Sequence, residues 1–148
     1  MKIISHRGNT NGKNPLYENT LDYLKHACNI GFDVECDIIE QQGLLYFGHD
    51  KPQELADLTF LQSSKVWCHA KNTGAIELLS TLNTHYFWHE NDAATVTSKG
   101  YIWCYPEHYV NSKKAVWLDV FGNTLPTDLS NIYGVCTDNA KNYIKETK

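Results

Sequence analysis

The chain has 148 residues, 42% hydrophobic and 20% charged, with a formal net charge of −4; this is the composition of one globular domain, residues 1–148, with no signature of disorder. A negative balance excludes the broad polyanion surface that nucleic acid requires, so any phosphate site has to be local. No apolar stretch reaches the ~20 residues of a membrane span, and the first residues turn polar too soon for a signal peptide.

The pattern then alternates strand and helix. Residues 2–5 read as a short strand, followed by His6-Arg7-Gly8 and a run of turn formers. Asn19, with Asp22 three residues on, reads as the cap of a helix whose apolar stripe is Leu21, Leu24, Ala27 and Cys28, ended by Gly31. Residues 32–39 alternate strictly, with Phe32, Val34, Cys36 and Ile38 on one face and Asp33, Glu35 and Asp37 on the other. Gln42-Gly43 turns the chain into a hairpin arm, 44–47, that leads to Gly48-His49-Asp50. Further strands are expected at 66–71, 85–90, 101–105, 115–120 and 132–136. Helices are expected at 72–82, in part of 52–63, and at 138–148. After residue 90 the gaps between strands leave room for a turn or two of helix only.

Strand–helix alternation implies a parallel sheet. Seven main strands suggest a β/α barrel, yet a complete eight-fold barrel takes about 250 residues and rarely fewer than about 200. The fold class expected is therefore α/β, a shortened or incomplete β/α (TIM-like) barrel with reduced helices in its second half.

Five cysteines without a Cys-x-x-Cys pair argue against a structural zinc site or a disulfide framework. Those inside strands read as small buried hydrophobes, and a reducing, cytoplasmic compartment follows.

Chemistry gathers at the strand ends. Three carboxylates on one face of strand 32–39 make either a solvent-facing edge or an inward cluster for a hard cation. Trp67, His69 and Lys71 share a face of the next strand, and a histidine and lysine there are costly without partners or a site. His6, His49, His69 and His89 all end strands or begin loops, whereas His26 and His108 read as surface residues.

Four blocks, His6-Arg7-Gly8, Glu18-Asn19-Thr20, Gly31 to Asp37 and Gly48-His49-Asp50, resemble in order and spacing the glycerophosphodiester phosphodiesterase family, relatives of the phosphatidylinositol-specific phospholipase C barrels. They cover the first third of the chain. Cys68-His69-Ala70-Lys71 stands where that family has Glu-x-Lys, and 134–138 resembles its last barrel strand. The middle region departs from the pattern, as in a compact, divergent branch.

The resemblance implies a metal-assisted phosphodiesterase acting on a small phosphodiester. His6 and His49 are the implied acid–base pair and Arg7 the phosphoryl ligand. Glu35 and Asp37 are implied ligands of a divalent cation, Mg²⁺, Ca²⁺ or Mn²⁺. Glu18 supports the site, and Lys71 balances the carboxylates or contacts phosphate. His69, in place of the family's glutamate, either completes the metal site, with a bias towards softer ions, or touches substrate directly. His89 and Trp103 are assigned to substrate binding. Hydrolysis and cyclic-phosphate formation stay open, and a phosphate-ester-binding module without turnover is the alternative reading.

A lean second half with few helices is expected to expose apolar surface that self-association covers. Light scattering at micromolar concentration should therefore read a homodimer, and a monomer would count against it.

Overall fold

The computed structural model describes residues 1–120 and 125–146. In chain order the elements are β1 (Lys2–His6), α1 (Leu21–Asn29), β2 (Asp33–Gln41), β3 (Leu44–Phe47), β4 (Glu54–Leu55), α2 (Leu58–Leu61) and β5 (Val66–Ala70). They continue with α3 (Thr73–Ser80), β6 (His85–Trp88), β7 (Ala94–Val96), β8 (Ile102–Cys104), β9 (Ala115–Asp119), β10 (Gly134–Thr137) and α4 (Ala140–Glu146). The last two residues of the helix expected at 138–148 lie outside the described residues.

Seven strands pair in parallel, in the order β6-β5-β2-β1-β10-β9-β8. Three short arms run antiparallel to their neighbours: β3 on the far half of β2, β4 on β3, and β7 on β8. The result is a mixed α/β fold in which a curled sheet forms an incomplete barrel. No ladder joins β6 to β8 among the described residues. Their edges meet through the turn after β7, where the Ser98 N–H donates to the Tyr86 carbonyl at 2.8 Å and the Tyr86 N–H to the Ser98 hydroxyl at 2.9 Å.

Side chains inside the curl do what the missing ladder does not. Phe87 of β6 stacks on Trp103 of β8 with centroids 4.4 Å apart, and Trp67 of β5 lies 5.7 Å from the same indole. Ile4, Val116, Leu118, Val120 and Cys136 complete this inner cluster. On the outside, the apolar face of β2 (Val34, Cys36, Ile38) and that of β5 pack against Leu24 and Ala27 of α1 and Ala75 and Leu79 of α3. The strict alternation along residues 32–39 thus separates an outer apolar core from an inner polar face.

The second half is short of helices, as its spacing requires, but its outer face is not bare. Tyr109, Val110, Leu125 and Leu129, from loops, and Tyr143 of α4 pack over Trp117, Ile132 and Val135. Several of the most exposed large apolar side chains, Leu16, Leu44, Leu55 and Leu58, belong to the first half. Val96 of β7, 68% exposed, lies in the second half.

Local expectations differ at three points. Thr20, not Asn19, occupies the N-cap position of α1 and makes no side-chain cap bond. The Leu21 N–H is taken instead by the Glu54 carboxylate at 2.7 Å, a distant cap that local spacing does not reveal. The helix expected within 52–63 contracts to α2, capped by Asp57, and residues 54–55 form β4 instead. Neither β4 nor β7 was expected, because two or three residues carry no readable period. No helix among the described residues is long and apolar enough to cross a membrane.

His85 gives the inner cluster a pH dependence. Its ring lies 4.1 Å from Trp67, and its Nε2 pairs with the Thr97 hydroxyl at 2.7 Å. Burial, helped by Lys99, holds its pKa down to about 4. Above pH 6.5 the ring is neutral in folded and unfolded chains alike; between 6.5 and about 4 only the unfolded chain takes up the proton. The His85 contribution to stability should therefore fall by about 3 kcal/mol across that window. Urea unfolding at pH 7 and pH 4.5 checks this: the loss should be clearly smaller in His85→Gln, and equal losses would refute it.

Candidate functional site

The site is built where the parallel strands end. His6 is the last residue of β1, and the chain bends away through Arg7 at φ 57° and Gly8 at φ 91°. A Cβ on Gly8 would lie 2.6 Å from the Tyr23 ring, so only glycine lets this turn pack on α1. After β3, a Cβ on Gly48 would collide with the Lys51 carbonyl oxygen, and the tight turn it permits carries His49.

At the centre are Glu35 and Asp37, on the inner face of β2, each 1% exposed. Burial acts to raise the Glu35 pKa, but His69 in its protonated, donating form, with His6 and Arg7, outweighs it and holds the carboxyl at about 2. Asp37 is pushed up, by burial and by the ionised Glu35 beside it, against the pull of Arg7. Arg7 Nε lies 3.0 Å from Asp37 as a close ion pair, and its Nη1 reaches Glu18 at 3.3 Å. Asn19, at φ 59°, clamps Asp37 twice, donating from Nδ2 to the carboxylate and accepting the Asp37 N–H, each at 3.0 Å. This is why Asn19 does not cap α1.

His6 is held through its other nitrogen. Nδ1 lies 2.7 Å from the Asp138 carboxylate, which can only accept, so Nδ1–H donates. Its Nε2 then lies 3.9 Å from Glu35 Oε1. Burial opposes the His6 charge, yet Asp138 and Glu35 prevail and raise its pKa. Asn9 ties this pair to the Arg7 partner, donating to Asp138 at 2.8 Å and to Glu18 at 2.9 Å.

His69 is oriented by a backbone carbonyl. Its Nε2 lies 2.9 Å from the His89 carbonyl oxygen and must donate to it. In the neutral ring Nδ1 is then a lone pair, and it faces Glu35 and Asp37 at 3.5 Å each. In that neutral form the lone pair lies between two carboxylates and calls for a cation, either a proton on Nδ1 or a metal ion. Glu35 Oε1, moreover, is buried without a hydrogen bond. One ligand atom from each of Glu35, Asp37 and His69 lies within 4.8 Å of the others. Two carboxylate oxygens and an imidazole whose far nitrogen is pinned by a carbonyl form a donor set that fits a divalent cation.

A cleft of about 460 Å³ opens over this centre. Nine of the ten residues singled out from sequence line it: His6, Arg7, Glu35, Asp37, His49, His69, Lys71, His89 and Trp103. Glu18 does not; it lines the adjoining depression and backs Arg7. His49 pairs through Nδ1 with Asp50 at 2.7 Å. His89 acts on the site through its carbonyl, while its ring nitrogen is taken by the Asp92 carbonyl. Trp103 is 3% exposed and stacked on Phe87, so most of its indole is core. His26 and His108 are exposed.

Sequence reasoning missed Asn9, Asn19 and Asp138 as parts of the site. Asp138 had a signal, a carboxylate directly after the last strand, at the sheet edge where ligand sites form. Asn9 and Asn19 lie in loops whose partners are set only by the fold.

Comparison of the chain with protein-family models, curated proteins and solved structures finds no match.

Adding Mn²⁺ or Mg²⁺ should raise the thermal midpoint, since a ligand at a hundred times its Kd contributes about 2.7 kcal/mol, a shift of several degrees in a domain of this size. Glu35→Gln and His69→Gln should each abolish the shift. A wild-type midpoint that ignores millimolar Mn²⁺, Mg²⁺ and Ca²⁺ would rule the site out.

Proposed function

We propose that this chain is a divalent-metal-assisted phosphodiesterase on a shortened, TIM-like barrel, acting on a small glycerophosphodiester-like substrate. One observation carries the reading: His69, with Nε2 committed to the His89 carbonyl, turns its other nitrogen towards the buried Glu35–Asp37 pair, with Arg7 alongside. A cation-ready carboxylate pair beside a guanidinium is suited to neutralising a phosphodiester. Two further histidines line the same cleft, each with Nδ1 paired to an aspartate. The four sequence blocks that resemble the phosphodiesterase family meet at this cleft and the depression beside it. Five free cysteines, four of them buried, support a reducing, cytoplasmic setting.

In this reading Glu35, Asp37 and His69 hold the cation, which when bound polarises the phosphoryl oxygens. Arg7, anchored on Asp37 and Glu18, binds a phosphoryl oxygen and gains strength as charge builds there. Of His6 and His49, one takes the proton of the attacking water or neighbouring substrate hydroxyl, and the other returns a proton to the departing alkoxide. Asp138 acts through His6: it fixes the Nδ1–H tautomer, so that Nε2 is the nitrogen left to exchange protons. Lys71, also lining the cleft, adds a positive charge.

Purified protein should cleave a glycerophosphodiester or an activated aryl diester, and a chelator should stop it. His6→Ala and His49→Ala should each lower kcat by roughly 10²–10⁴-fold, the range of a lost general acid or base. Unchanged rates in both would overturn the mechanism. Calorimetric binding of the diester without turnover, across several metals, would favour the binding-module alternative.

A further inference from the structure

The cleft has two chemically different walls, and they divide along the chain. Every ionisable side chain lining it comes from within residues 6–90, apart from the Tyr105 phenol. The lining contributed from β8 onwards is Trp103, Tyr105, Pro106, Leu118 and Val120. The division follows the topology, since β8 and β9 lie at the opposite end of the parallel ladder from β5 and β6. Trp103, Leu118 and Val120 also belong to the inner hydrophobic cluster, so this wall is continuous with the core.

Arg7 and His49 stand at a boundary. Besides the cleft, they line an adjoining depression of about 220 Å³ together with Glu18, Asp50, Lys51 and Gln53. A phosphoryl group held at Arg7 therefore has polar, hydrogen-bonding surface on one side and apolar surface on the other. Two small hydroxylated arms would leave the half-open Tyr105 ring and the cleft-facing edges of the buried Trp103, Leu118 and Val120 in contact with water, whereas an apolar arm would cover them.

We propose that the substrate is an amphiphilic phosphodiester, with a hydroxylated alcohol on the Arg7–Lys51 side and an alkyl or aryl alcohol against the wall formed by Trp103, Tyr105, Leu118 and Val120. This rests on the phosphodiesterase reading and specifies what that site selects. The selecting residues touch substrate without taking part in proton transfer, so they set specificity rather than chemistry.

The test is a series of glycerophosphate monoalkyl esters, methyl, butyl and octyl, assayed with Mn²⁺ below their micelle concentrations. kcat/KM should climb with chain length, by up to about four-fold for each methylene buried. Tyr105→Asp, at a partly exposed position of the wall, should lower the octyl-to-methyl ratio on the order of ten-fold, the loss of roughly two buried methylenes. Turnover with an octyl-to-methyl ratio of one or less, or a ratio untouched by Tyr105→Asp, would overturn the inference and leave the phosphodiesterase reading standing. No turnover of any ester with Mn²⁺, Mg²⁺ or Ca²⁺ would instead overturn the reading on which it rests.

Discussion

Two carboxylates buried side by side, Glu35 and Asp37, are the constraint around which the rest of the molecule is arranged. They stand on the inner face of β2, in the middle of a parallel sheet, each 1% exposed. Removing such charges from water is costly unless cations and donors replace the solvent. Arg7, His6 and Asn19 are those replacements, joined by His69 when its ring is protonated. Arg7 and Asn19 both adopt positive φ to reach Asp37. Asn19 gives up the helix cap that its sequence position suggests, and Glu54 takes over at the start of α1.

Histidines at the strand ends share a second feature: an acceptor fixes one ring nitrogen of each. Asp138 holds His6, Asp50 holds His49, and the His89 carbonyl holds His69. For His6 and His49 the fixed nitrogen is Nδ1, which leaves Nε2 as the other ring nitrogen. For His69 it is Nε2, which leaves Nδ1 towards the carboxylates. The same side chain thus turns Nε2 away from its anchor in two places and Nδ1 in a third, by nothing more than which nitrogen meets the acceptor.

The asymmetry of the fold and that of the cleft have one origin. Between β1 and β6 the connections contain helices, which cover the outer face and leave the inner face free to carry charge. After β6 the connections shorten, and the sheet closes through aromatic contacts, Phe87 on Trp103 above all. Side chains that close a curl must be large and apolar, so the strands doing so present an apolar wall to the cleft.

Much of this was legible in the sequence, though unevenly. The period of two along residues 32–39 predicts that the faces of β2 differ, because adjacent side chains on a strand point opposite ways. Turn chemistry locates the strand ends, and with them His6, His49 and His69. Short gaps between the strands after residue 90 leave room for a turn or two of helix only. What those signals lack is any information on contacts distant in the chain. That Asp138 would hold His6, 132 residues away, that Asn19 would serve Asp37 rather than a helix, and that Trp103 would be largely core were decided only when the sheet curled. Local sequence determines which residues are charged, alternate or turn. Tertiary structure alone determines which of them are buried together, and burial turns an ordinary row of carboxylates into a site.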